Sequence, residues 1–257
     1  MGGELHIAPD RDALSRALAR RVTAVAEEAL AARGRFTLAI PGGSAVELLA
    51  AGLQAVSPAV PVDGSAWRLF WVDERCVPLS HPDSNFRLAH RTLLRRLTIP
   101  DAQCYGVDNP PHAAAAARAY AATLRAEATP PGAAWPVLDL ILLGVGPDGH
   151  VASLFPNHPA LEATDDWVVP VPDAPKPPPA RITMTLPVIN ASRTVILTAH
   201  GPGKASIISA LLDRSGTPSE LPAARVAPTD GTLYWFLDAP AAAGIRDEAA
   251  TSVKGTL

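Results

Sequence analysis

A carboxylate and an imidazole lie two positions apart in the segment GVGPDGHVASLFP, residues 144–156. Asp148 and His150 follow an apolar run and lie among three glycines, so both are held on a tightly turning backbone. A histidine that titrates near neutral pH can act as a general base, and a nearby carboxylate fixes its tautomer and raises its basicity. The alternative is a helix cap, in which Asp148 binds backbone N–H groups and His150 is only a neighbour. The residues alone leave both interpretations open.

A second polar cluster, Gly42-Gly43-Ser44, separates an apolar run from a predicted helix. Glycines allow the backbone to approach an anion and donate N–H groups, and the Ser44 hydroxyl adds a donor, which suits a phosphate. The same pattern is also typical of an ordinary turn. It is neither a Walker loop nor a GxGxxG dinucleotide motif.

Four further charged residues follow or lead predicted strands. Asp73 and Arg75 belong to the triplet DER at the end of an apolar strand, where Arg75 can bind phosphate or a nearby acid. Lys204 follows another strand in HGPGKAS, and Arg181 precedes the strand RITMTLPVIN. Each could instead be a solvated charge. No GxSxG, HExxH or clustered carboxylate motif is present, so neither a serine-triad hydrolase nor a metal site is expected.

Composition narrows the function classes. The net charge is −3 and both signs are mixed along the chain, which argues against a nucleic-acid partner. No apolar run approaches the length of a membrane span, and the first residues resemble no signal peptide, so a cytoplasmic protein is expected. Cys76 and Cys104 are far from CxxC spacing, which predicts reduced thiols and no zinc site.

The elements that must position these clusters alternate between strand and helix. Asp10 caps a predicted helix that Gly34 ends. Strands are predicted at 36–41, 67–74, 137–145, 167–171, 182–189, 194–200 and 232–238, and helices at 11–33, 45–53, 85–97, 112–128 and 203–213, with another helix starting near His150. This alternation predicts a three-layer α/β/α sandwich with a mainly parallel, Rossmann-like sheet, in one domain over residues 1–257.

In such a sheet, ligands bind beyond the carboxyl ends of the strands, so the clusters should converge at one edge. The proline-rich stretch 171–181 is predicted to be a surface loop and not a domain linker.

Read in order, five motifs resemble those of the 6-phosphogluconolactonases. They are PGGS at 41–44, DERCVPLSHPDSN at 73–85, GVGPDGHVASLFP at 144–156, RITMTLPVIN at 181–190 and GPGKA at 201–205. Together with the flanking elements, the resemblance covers nearly the whole chain, and its most specific part is DGHxASLFP. Small departures are Ala45, where the family often has threonine, and Val46, where it often has proline.

The resemblance implies a cofactor-free enzyme that hydrolyses 6-phospho-D-glucono-1,5-lactone in the oxidative pentose phosphate pathway, on a fold related to glucosamine-6-phosphate deaminases. His150 would activate water, with Asp148 beside it. The candidates for holding phosphate and substrate are Gly42, Gly43, Ser44, Asp73, Arg75, Arg181 and Lys204. The expected partner is this small molecule, with no nucleic acid or membrane, and the chain would be a monomer or a small homo-oligomer.

Two alternatives remain open at this stage. A sugar-phosphate deaminase or isomerase of the same fold would typically carry a glutamate five residues after the histidine, where this chain has Phe155. A non-catalytic sugar-phosphate sensor would be expected to carry a helix-turn-helix segment, for which no room is predicted before the first strand and helix.

Overall fold

A parallel sheet of seven strands forms the centre of the computed structural model, counted over the residues it describes, 3–59, 62–107, 112–212 and 220–245. In chain order the strands are β1 (Glu4–Ala8), β2 (Phe36–Ile40), β3 (Trp67–Trp71), β4 (Asp73–Arg75), β5 (Cys104–Tyr105), β6 (Leu140–Gly144), β7 (Val168–Val171), β8 (Arg181–Met184), β9 (Thr194–Ala199) and β10 (Thr232–Asp238). The helices are α1 (Arg11–Arg33), α2 (Ser44–Val56), α3 (Asn85–Arg91), α4 (Ala113–Glu127), α5 (Leu186–Asn190), α6 (Ala205–Leu212) and α7 (Ala239–Ala242).

The strands of the central sheet lie in the order β1-β10-β9-β6-β2-β3-β5. From β2 the chain extends to one edge through β3 and β5. It then returns to β6, beside β2, and extends the other way through β9 and β10. The strand order therefore reverses between β2 and β6, and in open α/β sheets ligands bind beyond the carboxyl ends at this reversal. The GGS and PDGH segments follow these two strands.

Side chains of the central strands alternate between two apolar clusters, one on each face of the sheet. Leu38 and Ile40 of β2 belong to the cluster beneath α1 and α2, whereas Ala39 belongs to the cluster on the opposite face. That opposite cluster includes buried residues of α4, α6, β7 and β8. Helices thus cover both faces, and the predicted three-layer α/β fold with a mainly parallel sheet is confirmed.

A second, antiparallel sheet has the order β4-β8-β7. The segment 67–74, predicted as one strand, instead changes sheets at Val72: β3 ends at Trp71 and β4 begins at Asp73. The Val72 carbonyl accepts a hydrogen bond from the Met184 N–H at 2.7 Å, which fixes this crossing. In the resulting register Arg75 pairs with Arg181, so two of the predicted site cations lie on adjacent strands.

Three other predicted elements differ from the structure. The predicted strand 182–189 is half helix, because β8 ends at Met184 and α5 follows, with Pro187 in its first turn where proline is tolerated. The predicted helix 85–97 ends at Arg91, and a single 3₁₀ turn follows. The predicted helix 203–213 is a 3₁₀ turn followed by α6, and position 213 lies outside the described residues.

The predicted ends of α1 are confirmed in detail. The Asp10 carboxylate accepts a hydrogen bond from the Ala13 N–H at 2.8 Å, which satisfies one of the free donors of the first turn. Gly34 ends the helix with φ at 69°, in the left-handed region that glycine adopts without strain. α1 packs on α2, and this contact supports the segment that presents GGS.

A buried carboxylate joins β2 to β6 at the end of the sheet opposite the GGS and PDGH segments. Asp139 Oδ2 accepts hydrogen bonds from the Thr37 N–H at 2.8 Å and the Thr37 hydroxyl at 2.9 Å. Asp139 Oδ1 lies 2.7 Å from the Arg33 guanidinium. These bonds hold together the two strands that flank the reversal.

We expect Asp139→Ala to lower the free energy of unfolding by about 2–4 kcal/mol, because the Thr37 donors and the Arg33 charge lose their partner. Urea unfolding measures the change. The control, Asp165→Ala at an exposed position, should stay within about 0.5 kcal/mol of the wild type. Equal stabilities of the two variants would contradict the role given to Asp139.

Candidate active site

A tight turn after β6 carries Asp148 and His150. The Gly146 N–H donates to the His150 carbonyl at 2.9 Å, and the Gly149 N–H donates to the Gly146 carbonyl at 3.0 Å. Gly149 has φ at 80°. The prediction that a helix starts near His150 is wrong, because the chain there forms an antiparallel β-bridge between Val151 and Leu154. With no helix to cap, Asp148 instead pairs through Oδ1 with His150 Nδ1.

Burial and neighbouring charges oppose each other at this pair. The His150 side chain is 17% exposed. Burial lowers the pKa of His150 below its ordinary value; the hydrogen bond and charge of Asp148 act to raise it, and the charge of Lys176 lowers it further. For Asp148, desolvation is the largest single effect and acts to raise the pKa, but the hydrogen bond and charge of His150, a backbone hydrogen bond and the charge of Lys176 together lower it. A neutral imidazole beside an ionised carboxylate is therefore favoured at neutral pH.

Phe155 supports the imidazole from the core. Its ring is 2% exposed, and its centroid lies 4.9 Å from that of His150. The guanidinium carbon of Arg181 lies 5.7 Å from the same ring centroid. The position at which a deaminase of this fold is expected to carry a glutamate is thus filled by an apolar ring that packs against the His150 imidazole.

Gly146 is required by the position of His150. A Cβ built on Gly146 would lie 2.0 Å from His150 Nδ1 and 2.6 Å from Asp148 Oδ1. Any side chain at this position would displace the imidazole or the carboxylate. Gly144, two residues earlier, has room, since its built Cβ would meet Ala45 at 3.7 Å.

The predicted anion segment forms the start of α2. Gly43 precedes the helix with φ at 67°, and both Gly43 and Ser44 are exposed. The first N–H groups of a helix have no partner within it, and the helix dipole favours an anion there. A Cβ on Gly42 would lie 1.9 Å from Asn85 Oδ1, so Gly42 is required by the close approach of that side chain.

Asp73 lies in a buried polar network. Its carboxylate accepts a hydrogen bond from the Ser153 hydroxyl at 2.6 Å, and its carbonyl accepts one from Asn85 Nδ2 at 2.9 Å. Arg181 Nη1 lies 3.3 Å from Ser153 Oγ and can donate to it. Asp73 is 5% exposed. The network connects β4, the turn after His150 and the start of α3.

Glu74, which follows Asp73, organises the loop after β4. Its buried carboxylate accepts hydrogen bonds from the N–H groups of Arg75, Asn85 and Phe86 at 2.7–2.8 Å and from the Ser84 hydroxyl at 3.1 Å. Burial nevertheless raises the pKa of Glu74, an effect that these bonds oppose. Glu74 thereby fixes the backbone from which Arg75 projects.

The Arg75 side chain makes one hydrogen bond to this loop. Its Nη1 donates to the Asp83 carbonyl at 2.7 Å. Its Nε is buried and has no hydrogen-bond partner among the described residues.

Arg181 is largely occupied by protein acceptors. Its Nε donates to the Pro178 carbonyl at 2.9 Å, and its Nη2 donates to the Lys176 carbonyl at 2.8 Å and the Pro177 carbonyl at 3.3 Å. The residue is 4% exposed. Burial, followed by the charge of Arg75, lowers the pKa of Arg181. Its guanidinium therefore holds the loop between β7 and β8, residues 172–180.

Lys204 is the last residue of the 3₁₀ turn that follows β9, directly before α6. Its ammonium group donates to the Val145 carbonyl at 2.7 Å, directly beside the turn that carries His150. Burial, together with the charge of Lys176, lowers the pKa of Lys204, whereas Asp148 acts to raise it. Lys204 is thus electrostatically coupled to the Asp148–His150 pair.

Lys176 is a site residue that sequence reasoning missed. Its Nζ lies 3.2 Å from His150 Nδ1 and 3.5 Å from Asp148 Oδ1. It comes from the proline-rich loop, predicted only as a surface connection. The available signal was its position five residues before Arg181, another candidate, in a segment stiffened by prolines.

The profile of a family described as glucosamine-6-phosphate isomerases/6-phosphogluconolactonase matches residues 9–235. The chain belongs to this family. Human 6-phosphogluconolactonase is 47% identical over 232 residues, which cover 89% of this chain and 88% of that protein. A probable chloroplastic 6-phosphogluconolactonase of Oryza sativa subsp. japonica is 42% identical over 236 residues, covering 89% of this chain and 72% of the relative.

Solved structures agree with the fold. The 6-phosphogluconolactonase of Trypanosoma brucei has a TM-score of 0.80 at 26% identity and covers 95% of this chain and 99% of its own. A monomeric glucosamine-6-phosphate deaminase has a TM-score of 0.73 at 18% identity, covering 94% of this chain and 99% of that one, which shows the fold alone. The family predicted from the five motifs is confirmed.

Among the residues that the structure describes, no helix is long and apolar enough to cross a membrane. No cluster of three or more His, Cys, Asp or Glu side chains in that part of the chain could hold a metal ion.

We expect Gly146→Ala to displace the imidazole and to lower the free energy of unfolding by about 1–3 kcal/mol, because the new methyl overlaps His150 and Asp148. Gly144→Ala, at the last residue of β6 just before the turn, is the matched control because its added methyl meets only Ala45 at 3.7 Å. A crystal structure of each variant and its urea unfolding curve measure the two effects. An undisturbed Asp148–His150 pair in Gly146→Ala would refute the requirement for glycine.

Proposed function

We propose that this chain hydrolyses 6-phospho-D-glucono-1,5-lactone to 6-phosphogluconate in the oxidative pentose phosphate pathway, with His150 as the general base. The enzyme class is supported by the relatives, which carry the name 6-phosphogluconolactonase at 47% identity over 89% of the chain. The mechanism is supported by one observation above all: His150 is paired through Nδ1 with Asp148 at the reversal of the parallel sheet.

The pairing leaves the other ring nitrogen available as the base. With Nδ1–H donated to Asp148, the lone pair of Nε2 accepts a proton from a water molecule as its oxygen bonds to the lactone carbonyl carbon. The tetrahedral intermediate collapses, and the bond from that carbon to the ring oxygen breaks. The imidazolium returns its proton to the ring oxygen, which becomes the C5 hydroxyl. The product is an open-chain acid, and His150 is neutral again.

Such a reaction needs little beyond positioning. A six-membered lactone hydrolyses without an enzyme, so orienting the ring and deprotonating one water already lower the barrier. No thiol is activated for attack, since burial raises the pKa of Cys76 above its ordinary value, and the Glu74 carboxylate raises it further. A protonated thiol is a poor nucleophile, which agrees with direct attack by water.

The substrate phosphate supplies binding energy that orients the distant carbonyl. The free N–H groups at the start of α2 and the exposed Ser44 hydroxyl offer donors to it. Arg75 and Lys204 add charge, and each uses one hydrogen bond on a backbone carbonyl, so donors remain on both. The role proposed for the other three candidates is to shape the site. Gly42 and Gly43 have no side chain to offer, and Asp73 is a buried acid.

Phe155 favours lactone hydrolysis over deamination of an amino sugar phosphate. Deaminases of this fold are expected to place a glutamate at this position, where it can serve ring-opening proton transfer. Here an apolar ring packs on the base instead. We therefore assign no deaminase activity to the chain.

We expect His150→Ala to reduce lactone hydrolysis by about 10²–10⁴-fold, because the general base is lost. The rate is measured on freshly generated lactone and corrected for spontaneous opening. Binding of 6-phosphogluconate should persist, since the anion donors are intact. Near-wild-type turnover of the variant would exclude His150 as the base, and glucosamine-6-phosphate deamination without lactonase activity would exclude the function.

The pH dependence follows from the direction of the shift. Catalysis needs neutral His150, and burial lowers the pKa of His150 below the ordinary 6.5. The acid limb of kcat/KM should therefore lie below about pH 6.5, with activity constant across neutrality and falling only under more acidic conditions. A profile whose acid limb lies above that value would contradict an uncharged resting base.

For the anion site, we expect Lys204→Gln to raise KM about 10-fold or more with a smaller change in kcat, since a charge-assisted contact to phosphate is lost. Steady-state kinetics and inhibition by 6-phosphogluconate measure both effects. Arg20→Gln, on the exposed surface of α1, removes the same charge and should leave both constants unchanged. An unchanged KM in Lys204→Gln would remove this residue from the phosphate site.

A further inference from the structure

We propose that Lys176, carried by the loop 172–180, is a positioning residue that shares the Asp148 carboxylate with His150 and so limits the stabilisation which that carboxylate gives to a charged imidazole. The inference rests on the proposed function, since it concerns the same base. It gives the proline-rich loop a role in the reaction and gives Arg181 a role other than binding phosphate.

The contacts of Lys176 define this role. Its Nζ is 3.2 Å from His150 Nδ1 and 3.5 Å from Asp148 Oδ1, and it lies 5.9 Å from the centroid of the Phe155 ring. When Nδ1 carries the proton donated to Asp148, the ammonium group has no acceptor on the imidazole. Its attraction is then to the carboxylate, and its charge acts directly on the ring.

Arg181 holds Lys176 in this position. Its guanidinium donates to three successive carbonyls of the loop, those of Lys176, Pro177 and Pro178. The other limb of the loop is attached by the contact of Asp173 Oδ1 with His158 Nε2 at 3.0 Å. Three successive prolines leave the backbone between them few alternative conformations. The loop is therefore preorganised, and Lys176 does not depend on its flexible stem alone for its place.

Several charges act on the His150 ring. Asp148 comes from the same turn, Lys176 from the loop and Asp73 from β4; the two acids act to raise the pKa of His150, whereas Lys176 lowers it. Lys204, at the end of the 3₁₀ turn after β9, donates to the Val145 carbonyl beside the turn that carries His150. Arg181 projects from β8 over the neutral Phe155 ring.

The consequence for the reaction has a definite sign. Removing Lys176 takes away a positive charge that opposes the stabilisation of the imidazolium by Asp148, while burial of the ring remains, so we expect the pKa of His150 to rise and the base to be protonated at higher pH than in the wild type. Activity is then lost on the acid side and kept on the alkaline side. In the wild type, the same ammonium group makes the imidazolium a stronger acid, which favours return of the proton to the ring oxygen.

The test compares Lys176→Gln with Lys176→Arg and with the surface control Arg20→Gln. We expect Lys176→Gln to move the acid limb of kcat/KM to higher pH, with a several-fold loss below neutrality and recovery above it. Lys176→Arg should restore the wild-type profile, and Arg20→Gln should not alter it. The His150 ring resonances, assigned by comparison with His150→Gln, should show the same upward shift in an NMR titration.

Two results would overturn the inference. One is an unmoved His150 titration in Lys176→Gln. The other is a uniform rise in KM at every pH, which would make Lys176 a substrate ligand. The NMR titration does not depend on the reaction, so it separates this inference from the proposed function. A wild type without lactonase activity whose His150 titration still responds to Lys176→Gln would refute the function and retain the coupling.

Discussion

The contact between Asp148 and His150 is the interaction on which the rest of the site depends, because it sets both the orientation and the tautomer of the imidazole. It is made within a single turn, so its geometry is set by the backbone and not by the packing of two distant elements. The turn closes through the Gly146 N–H on the His150 carbonyl. A side chain at Gly146 would overlap the His150 ring, so this position requires glycine. The Phe155 ring packs against the imidazole from the core.

The strand order of the central sheet determines where the Asp148–His150 pair lies. Because β6 returns beside β2, the turn lies next to the start of α2, and a built Cβ on Gly144 would touch Ala45 at 3.7 Å. The strand order thereby places the proposed base and the N–H groups at the start of α2 at the same edge of the sheet. Asp73 and Arg75 lie on β4 of the small antiparallel sheet. The buried Glu74 carboxylate binds the backbone N–H groups of the loop after β4 and so fixes the position of Arg75.

Local patterns predicted those parts of the molecule that local physics determines. The ends of α1 follow from Asp10 and Gly34, and the buried strands follow from apolar runs. The errors came where an apolar run serves two elements: β3 and β4 share one run that changes sheets at Val72, and 182–189 is half strand and half helix. The apolar pattern does not mark such a change, since most residues of both runs are buried in either arrangement. The contact of Lys176 with His150 spans 26 positions, and only the fold brings them together.

Arg181, which is buried, and Arg75, which is half-buried, are given different roles because they make different hydrogen bonds. Both were candidates for phosphate on the ground that a guanidinium matches its oxygens. Arg181 directs donors to three loop carbonyls and lies within range of Ser153, whereas Arg75 directs one to the Asp83 carbonyl. A guanidinium has only five N–H donors, so most of those on Arg181 are already used. The hydrogen bonds of the buried Arg181 guanidinium thus account for it through the loop that it holds, and we propose that the phosphate is bound by groups whose donors are still free.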